Sequence, residues 1–150
     1  MEYNEELVKD FVSRTKENLK LIRQAEKDGK KAYEVTQLIN SLLGLLVLPQ
    51  QALYDKIPKT PLSELAKSGW PIPRVRGNYP QAKDLRELTR YLRNGVAHFN
   101  LKFTASKNHH IDGLIIWDRK NKKSPKKWEA ELKIKELEAI TDKFTELLIQ

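Results

Sequence analysis

Apolar residues recur along most of this chain at intervals of three and four, the spacing that aligns side chains on one face of an α-helix. From Glu5 to about Lys27 the series is Leu7, Val8, Phe11, Val12, Thr15, Leu19 and Ile22. It predicts a long first helix, closed near Asp28-Gly29, where glycine supplies a left-handed stop. A second helix is expected from about Lys31 to Leu48, through Val35, Leu38, Ile39, Leu42, Leu43, Leu45 and Leu46. Apolar side chains nearly encircle its second half, which suits the central helix of a bundle or an oligomer interface. Pro49 is expected to end it, with a short turn over Gln50 to Lys56.

Between Ile57 and Pro80 the pattern breaks down. Pro58, Pro61, Pro71, Pro73 and Pro80, with Gly69 and Gly77, mark an irregular excursion holding at most one short helix near Leu62 to Lys67. Lys67, Arg74 and Arg76, interleaved with Trp70 and Tyr79, offer charge and stacking to a nucleic acid. Equally, Trp70 and Ile72 can simply pin the loop to the core. The helical period returns from about Gln81 to His98. Leu85, Leu88, Leu92, Val96 and Phe99 fall on one side of this third helix, and Arg86, Arg90, Arg93, Asn94 and Ala97 on the other. His98 lies at the border.

After His98 the period changes to alternation. Phe99 to Thr104 reads as a strand with Phe99, Leu101 and Phe103 inward, and a polar turn from Ala105 to His110 leads to a second run, Gly113 to Trp117. The basic stretch Arg119 to Lys127 turns the chain into a third alternating run, Trp128 to Leu132. A last helix is expected from about Lys135 to Ile149, with Leu137, Ile140, Phe144, Leu147 and Leu148 on one face. The predicted fold is mainly α: four principal helices in a bundle, with a small antiparallel β-hairpin or three-stranded sheet inserted between the third and fourth.

Composition narrows the function classes. A chain of 150 residues is the size of one domain with a real core. With 28 Lys and Arg against 20 Asp and Glu, the formal charge is +8, which favours a polyanionic partner. The absence of cysteine removes disulfides, thiol nucleophiles and thiolate metal sites, and suits a reducing cytoplasm. The acidic start Glu2-Tyr3-Asn4-Glu5-Glu6 lacks the layout of a signal peptide, so export is not expected. The apolar run Leu42 to Leu48 is far short of the roughly 20 residues that span a bilayer, so no membrane partner is expected.

The candidate chemistry is concentrated in Arg93-Asn94-Gly95-Val96-Ala97-His98. RNA transesterification needs a base for the ribose 2′-OH, an acid for the leaving oxygen and positive charge at the phosphate. A histidine serves either proton role near neutral pH, and an arginine's planar fork holds phosphate oxygens. No metal is required. On a straight helix, however, these two residues diverge by about 140°. Either the helix unwinds at Gly95, or two chains pool their residues in a shared cleft. Asn94 and His98, four apart, share a face. The His109-His110 pair sits in a polar turn without a third metal ligand at a recognisable spacing. The lysines of 120–127 read as a solvated loop or a grip on RNA backbone.

At these residues the chain resembles the HEPN superfamily, the higher eukaryotes and prokaryotes nucleotide-binding domains, whose hallmark is an arginine, a polar residue, a few variable positions and a histidine near the end of a bundle helix. The resemblance extends to the apolar second helix, Tyr33 to Leu46, and to the inserted sheet around Ile111 to Arg119. Together they look like a small bacterial and plasmid-borne subfamily. The resemblance implies a single HEPN-like domain over residues 1–150, and a homodimer with the two motif helices facing each other. It further implies a metal-independent endoribonuclease, acting as a toxin, antiphage effector or RNA-processing enzyme. Arg93 would stabilise the phosphate, His98 would move protons and Asn94 would support them. Asn40 is the candidate supporting residue on an earlier helix, its alternative being a surface or interhelical amide. Arg86 and Arg90, on the polar face, are the candidate RNA-binding residues. No cofactor is implied. RNA, a second copy and an antitoxin or regulatory protein are the expected partners. The alternative is a non-catalytic HEPN module that binds RNA, nucleotide or a partner protein.

Overall fold

The structure, a computed structural model, describes residues 4–107 and 110–149. Helix α1 (Glu5–Lys27) begins where expected because the Asn4 side chain accepts hydrogen bonds from the amides of Glu6 and Leu7, at 3.0 and 3.3 Å. It ends at Gly29, whose φ of +76° reverses the chain. Arg23 then ties three helices together: it pairs with Glu34 at 3.0 Å, at the start of α2 (Glu34–Leu42), and with Glu138 at 2.6 Å, on the last helix α6 (Ile134–Ile149).

Pro49 does not end the second helix. After α2 the chain widens into a π-helical turn, Leu43–Val47, and resumes as α3 (Leu48–Ala52), with Pro49 in its first turn. A first-turn position needs no amide donor from proline, and the wider turn before it removes the clash that a regular helix would suffer. The helical path therefore reaches residues that the sequence pattern assigned to a turn, Gln50 and Gln51 among them.

The irregular stretch holds the expected short helix, α4 (Leu62–Lys67), and also an unexpected strand, β1 (Arg74–Val75). β1 pairs antiparallel with β4 (Lys126–Lys133), and with β2 (Leu101–Ala105) and β3 (Ile111–Arg119) it makes a four-stranded sheet in the order β1-β4-β3-β2. The sheet is thus larger than the hairpin or three strands predicted, because a two-residue strand is too short to show alternation. Trp70 and Ile72 rest against the core, while Arg74 and Arg76 pair with Glu136 and Glu129 at 3.0 and 3.1 Å. Their guanidinium groups serve the sheet. Lys126 pairs with the same Glu129 that holds Arg76 and lies 4.3 Å from the centre of the Trp117 ring. His109 lies outside the described residues.

Helix α5 (Leu85–Ala97) starts four residues later than the expected Gln81, at the side chain of Asp84, which accepts from the Glu87 amide at 2.8 Å. Leu85, Leu88 and Leu92 are buried in the shared core with Leu38, Leu42, Leu46, Trp128 and Phe144. Two expectations for this helix fail. Gly95 does not unwind it: the helix continues to Ala97, and Gly95 is buried against β3. Phe99 does not turn inward: it is 67% exposed with φ of +53°, and β2 begins only at Leu101.

Both departures have one cause, the way α5 crosses β3 and stops. A Cβ on Gly95 would fall 2.3 Å from Ile116 Cγ1 and 3.3 Å from the Trp117 carbonyl oxygen. Glycine is required there for close approach. Past the helix end, the Asn100 amide donates to the Gly95 carbonyl at 2.7 Å and the Phe99 amide to the Val96 carbonyl at 3.2 Å. This bond pair is a Schellman stop, which places Phe99 in the left-handed position that glycine usually fills. A non-glycine residue there costs roughly 1–2 kcal/mol.

Replacing Gly95 with alanine is expected to destabilise the protein by about 1–3 kcal/mol in urea unfolding, despite alanine's better helix propensity. A combined Gly95→Ala, Ile116→Ala variant should lose less than the sum of the two single losses; strict additivity would show that the contact does not exist.

Candidate functional site

The polar residues of α5 meet the end of α3 and the inner face of β3. Arg93 donates from Nη1 to Asn94 Oδ1 at 2.8 Å and from Nη2 to Gln51 Oε1. Asn94 in turn donates from Nδ2 to Asp118 Oδ1 at 3.2 Å. The chain Gln51-Arg93-Asn94-Asp118 therefore links three elements through one guanidinium and one amide. Asp118 is a carboxylate only 6% exposed, on a strand position that faces the helix. The Nε of Arg93 is also buried and has no hydrogen-bond partner among the described residues. These two bonds leave guanidinium N–H groups unused, Nε among them.

A cleft of about 300 Å³ opens over this network, lined by Gln50, Gln51, Tyr54, Arg90, Arg93 and Asn94. Its chemistry is two guanidinium groups, three amides and a phenol, with no carboxylate on the lining. Such a surface suits an anion that accepts several hydrogen bonds, as a phosphodiester does. A larger cleft, about 730 Å³, lies between the far end of the sheet and α2 and α6, and shares no lining residue with this one. Its lining carries Glu34, Asp112, Glu131 and Glu138, which disfavour a polyanion.

The remaining residues of interest are placed as follows. Arg90 is exposed and its guanidinium carbon lies 5.5 Å from the centre of the Tyr91 ring. Tyr91 stacks on Trp128 with ring centres 5.1 Å apart and donates to Glu87 Oε1 at 2.9 Å. Burial first, and then the bond to Glu87, pushes the Tyr91 phenol above its ordinary pKa. It stays a neutral donor. Arg86 is held by the carbonyls of Ile57 and Asp55, at 2.9 and 3.4 Å, and covers the Tyr54 ring at 5.0 Å. These bonds position Tyr54 and the segment after α3 at the cleft.

His98 caps α5, its amide bonded to the Asn94 carbonyl at 3.0 Å. The imidazole is exposed, makes no hydrogen bond or ion pair with another described residue, and is not on the cleft lining. The structure thus brings Arg93, Asn94 and Arg90 together and leaves His98 at the helix end. Asn40 is exposed on α2 and is not on the lining either. The earlier-helix amide that reaches Arg93 is Gln51. Neither Gln51 nor Asp118 is legible as a site residue in the sequence: the first lies beyond a proline expected to end its helix, and the second follows the alternating run Gly113 to Trp117, at a position where an acidic side chain reads as solvent-facing.

A family model described as HEPN pEK499 p136 matches residues 1–150 of the chain. No curated protein and no solved structure gives a significant match.

Removing the Asp118 carboxylate leaves the Asn94 amide short of a buried partner, so Asp118→Ala should cost about 1–3 kcal/mol of stability. A double-mutant cycle with Asn94→Ala should return a coupling of about 1 kcal/mol. Zero coupling would mean that the two side chains do not act together.

Proposed function

Because this chain belongs to the HEPN pEK499 p136 family, we propose that it is a metal-independent endoribonuclease in which two copies of the chain build the cleaving centre. The observation that carries the reading is the half-buried, network-held Arg93 with unused N–H donors on the same helix as an exposed, unencumbered His98. The arginine is fixed as an anion anchor, and the imidazole is free to exchange protons. Family membership supports nucleotide binding or RNase-like action, and the net charge of +8 supports a polyanionic ligand.

In the proposed reaction the ribose 2′-oxygen attacks the adjacent phosphorus and the bond to the 5′-oxygen breaks. The 2′-OH proton passes to a base, and a proton is delivered to the departing 5′-oxygen. The products are a 2′,3′-cyclic phosphate and a 5′-OH end. Arg93, with Asn94 beside it, holds the phosphate oxygens as charge builds on them. His98 handles protons. Because α5 is regular to Ala97, Arg93 and His98 point apart by about 140° within one copy. Facing two motif helices across a dimer axis sets the Arg93 of one copy near the His98 of the other. Arg90 extends the cationic surface, and Arg86, on the same helix, contacts RNA while it braces Tyr54. The proposed setting is the cytoplasm, as one domain spanning the chain, with toxin, antiphage or RNA-processing roles and an antitoxin or regulatory protein as a further partner.

Incubation of purified protein with mixed single-stranded and structured RNAs in EDTA tests the reading. Wild type should yield cyclic-phosphate ends; His98→Ala should lower the rate about 100-fold or more while melting as wild type does, and Arg93→Ala should lower it as much at a temperature where circular dichroism shows the variant folded. Salt-sensitive RNA binding without any product would assign the non-catalytic module instead. Abolition by EDTA would contradict metal independence.

A further inference from the structure

Among the described residues Phe99 is the one non-glycine position with positive φ, and it is also 67% exposed. These two facts conflict with any role inside its own chain. The Schellman stop favours glycine at this position, and the side chain stays two-thirds exposed, with little burial to offset the strain. Its backbone is nonetheless fixed on both sides: the Phe99 amide bonds Val96, the Asn100 amide bonds Gly95, and the Asn100 carbonyl accepts from the Trp117 amide at 3.0 Å. The ring is therefore presented to solvent from a rigid base, directly after His98. Strain of this kind, held in place by its surroundings, is the mark of a functional position.

We propose that Phe99 is a nucleobase-stacking residue, which holds an unpaired base of single-stranded RNA next to the phosphate presented to His98. The proposal rests on the RNA-cleaving reading above and adds to it a site for the base. Two observations favour a base of a nucleic acid as the occupant. Ala97, His98 and Lys102, exposed on either side of the ring, include no carboxylate. The molecule as a whole carries +8, which attracts a polyanion to this surface. Aromatic rings beside cations are the common means of holding single strands without reading sequence. Consecutive Cα atoms lie about 3.8 Å apart, so a base on this ring belongs to a nucleotide at or beside the one cleaved. An ordinary A-form duplex keeps its bases stacked and cannot offer one to the ring. Cleavage is thereby directed to loops and single strands.

The test uses two fluorescein-labelled oligonucleotides of equal length: single-stranded 2′-O-methyl RNA, which lacks the attacking hydroxyl, and the same backbone without bases. Anisotropy titrations compare wild type with Phe99→Gly and Phe99→Trp. Phe99→Gly should bind the base-bearing strand about tenfold or more weakly, leave the abasic strand unchanged, and melt at or above the wild-type temperature, whereas Phe99→Trp should bind as wild type does. If Phe99→Gly folds poorly, Phe99→Asn, which tolerates the left-handed region, carries the same comparison. Equal affinity of wild type and Phe99→Gly for the base-bearing strand overturns the proposal, as does an equal loss on both strands. Sedimentation of Phe99→Gly at half the wild-type mass assigns the ring to a second copy and overturns it too. Wild type that binds neither strand contradicts the underlying RNA reading, an outcome separable from a failure of stacking alone.

Discussion

The crossing of α5 over β3 at Gly95 is the contact on which the rest of the site depends. With no side chain at that position, the helix comes close enough for Ile116 to occupy the space a Cβ would need. That closeness lets Asn94, the preceding residue, reach the buried Asp118 on the same strand. It also fixes where the helix must stop. The Gly95 carbonyl accepts the Asn100 amide, and from this one bond follow the left-handed Phe99, the exposed His98 and the start of β2. A single glycine thus sets the orientation of every residue in the motif.

The second determinant is the route of the chain past Pro49. A regular helix cannot hold proline in its interior. The π-helical turn over Leu43–Val47 lets a new first turn begin just beyond it, so the helical path continues to Ala52. Gln51 then reaches Arg93. Gly44 serves the same region, because a Cβ there would fall 2.5 Å from Phe11 Cε1 on α1. The α1 to α3 layer is in this way pressed close to the motif helix. The Arg93 guanidinium is a bridge between layers as well as a cation in a cleft.

Much of this was legible in the sequence, and the failures share a physical cause. The long helices follow from periodicity because α1, α5 and α6 bury one face each. The strands β3 and β4 follow from alternation. The motif could be found because of what surrounds it: arginine and histidine at that spacing arise often by chance, and it is the apolar second helix and the inserted sheet that set these two apart. What escaped was set by tertiary contact. β1 exists because β4 offers it an edge, not because Arg74-Val75 has a pattern of its own. Pro49 is tolerated because of a change in helix type that composition does not announce. Asp118 faces inward because Asn94 is there to receive it, and Phe99 faces outward because the helix stop takes precedence over the side chain's hydrophobicity. Asn40 lies on a helix of the expected kind but away from the cleft, whereas Gln51 lies at it.

The central claim is that one copy supplies the phosphate anchor and the other the proton-transferring imidazole. Subunit mixing tests it most directly: Arg93→Ala and His98→Ala chains, each inactive alone, are unfolded together, refolded as a mixture and assayed on single-stranded RNA. A centre shared between copies leaves one intact arginine and histidine pair in every mixed dimer, so activity should return. A mixture that forms mixed dimers yet stays as inactive as its parents would place both residues in one copy and contradict the account.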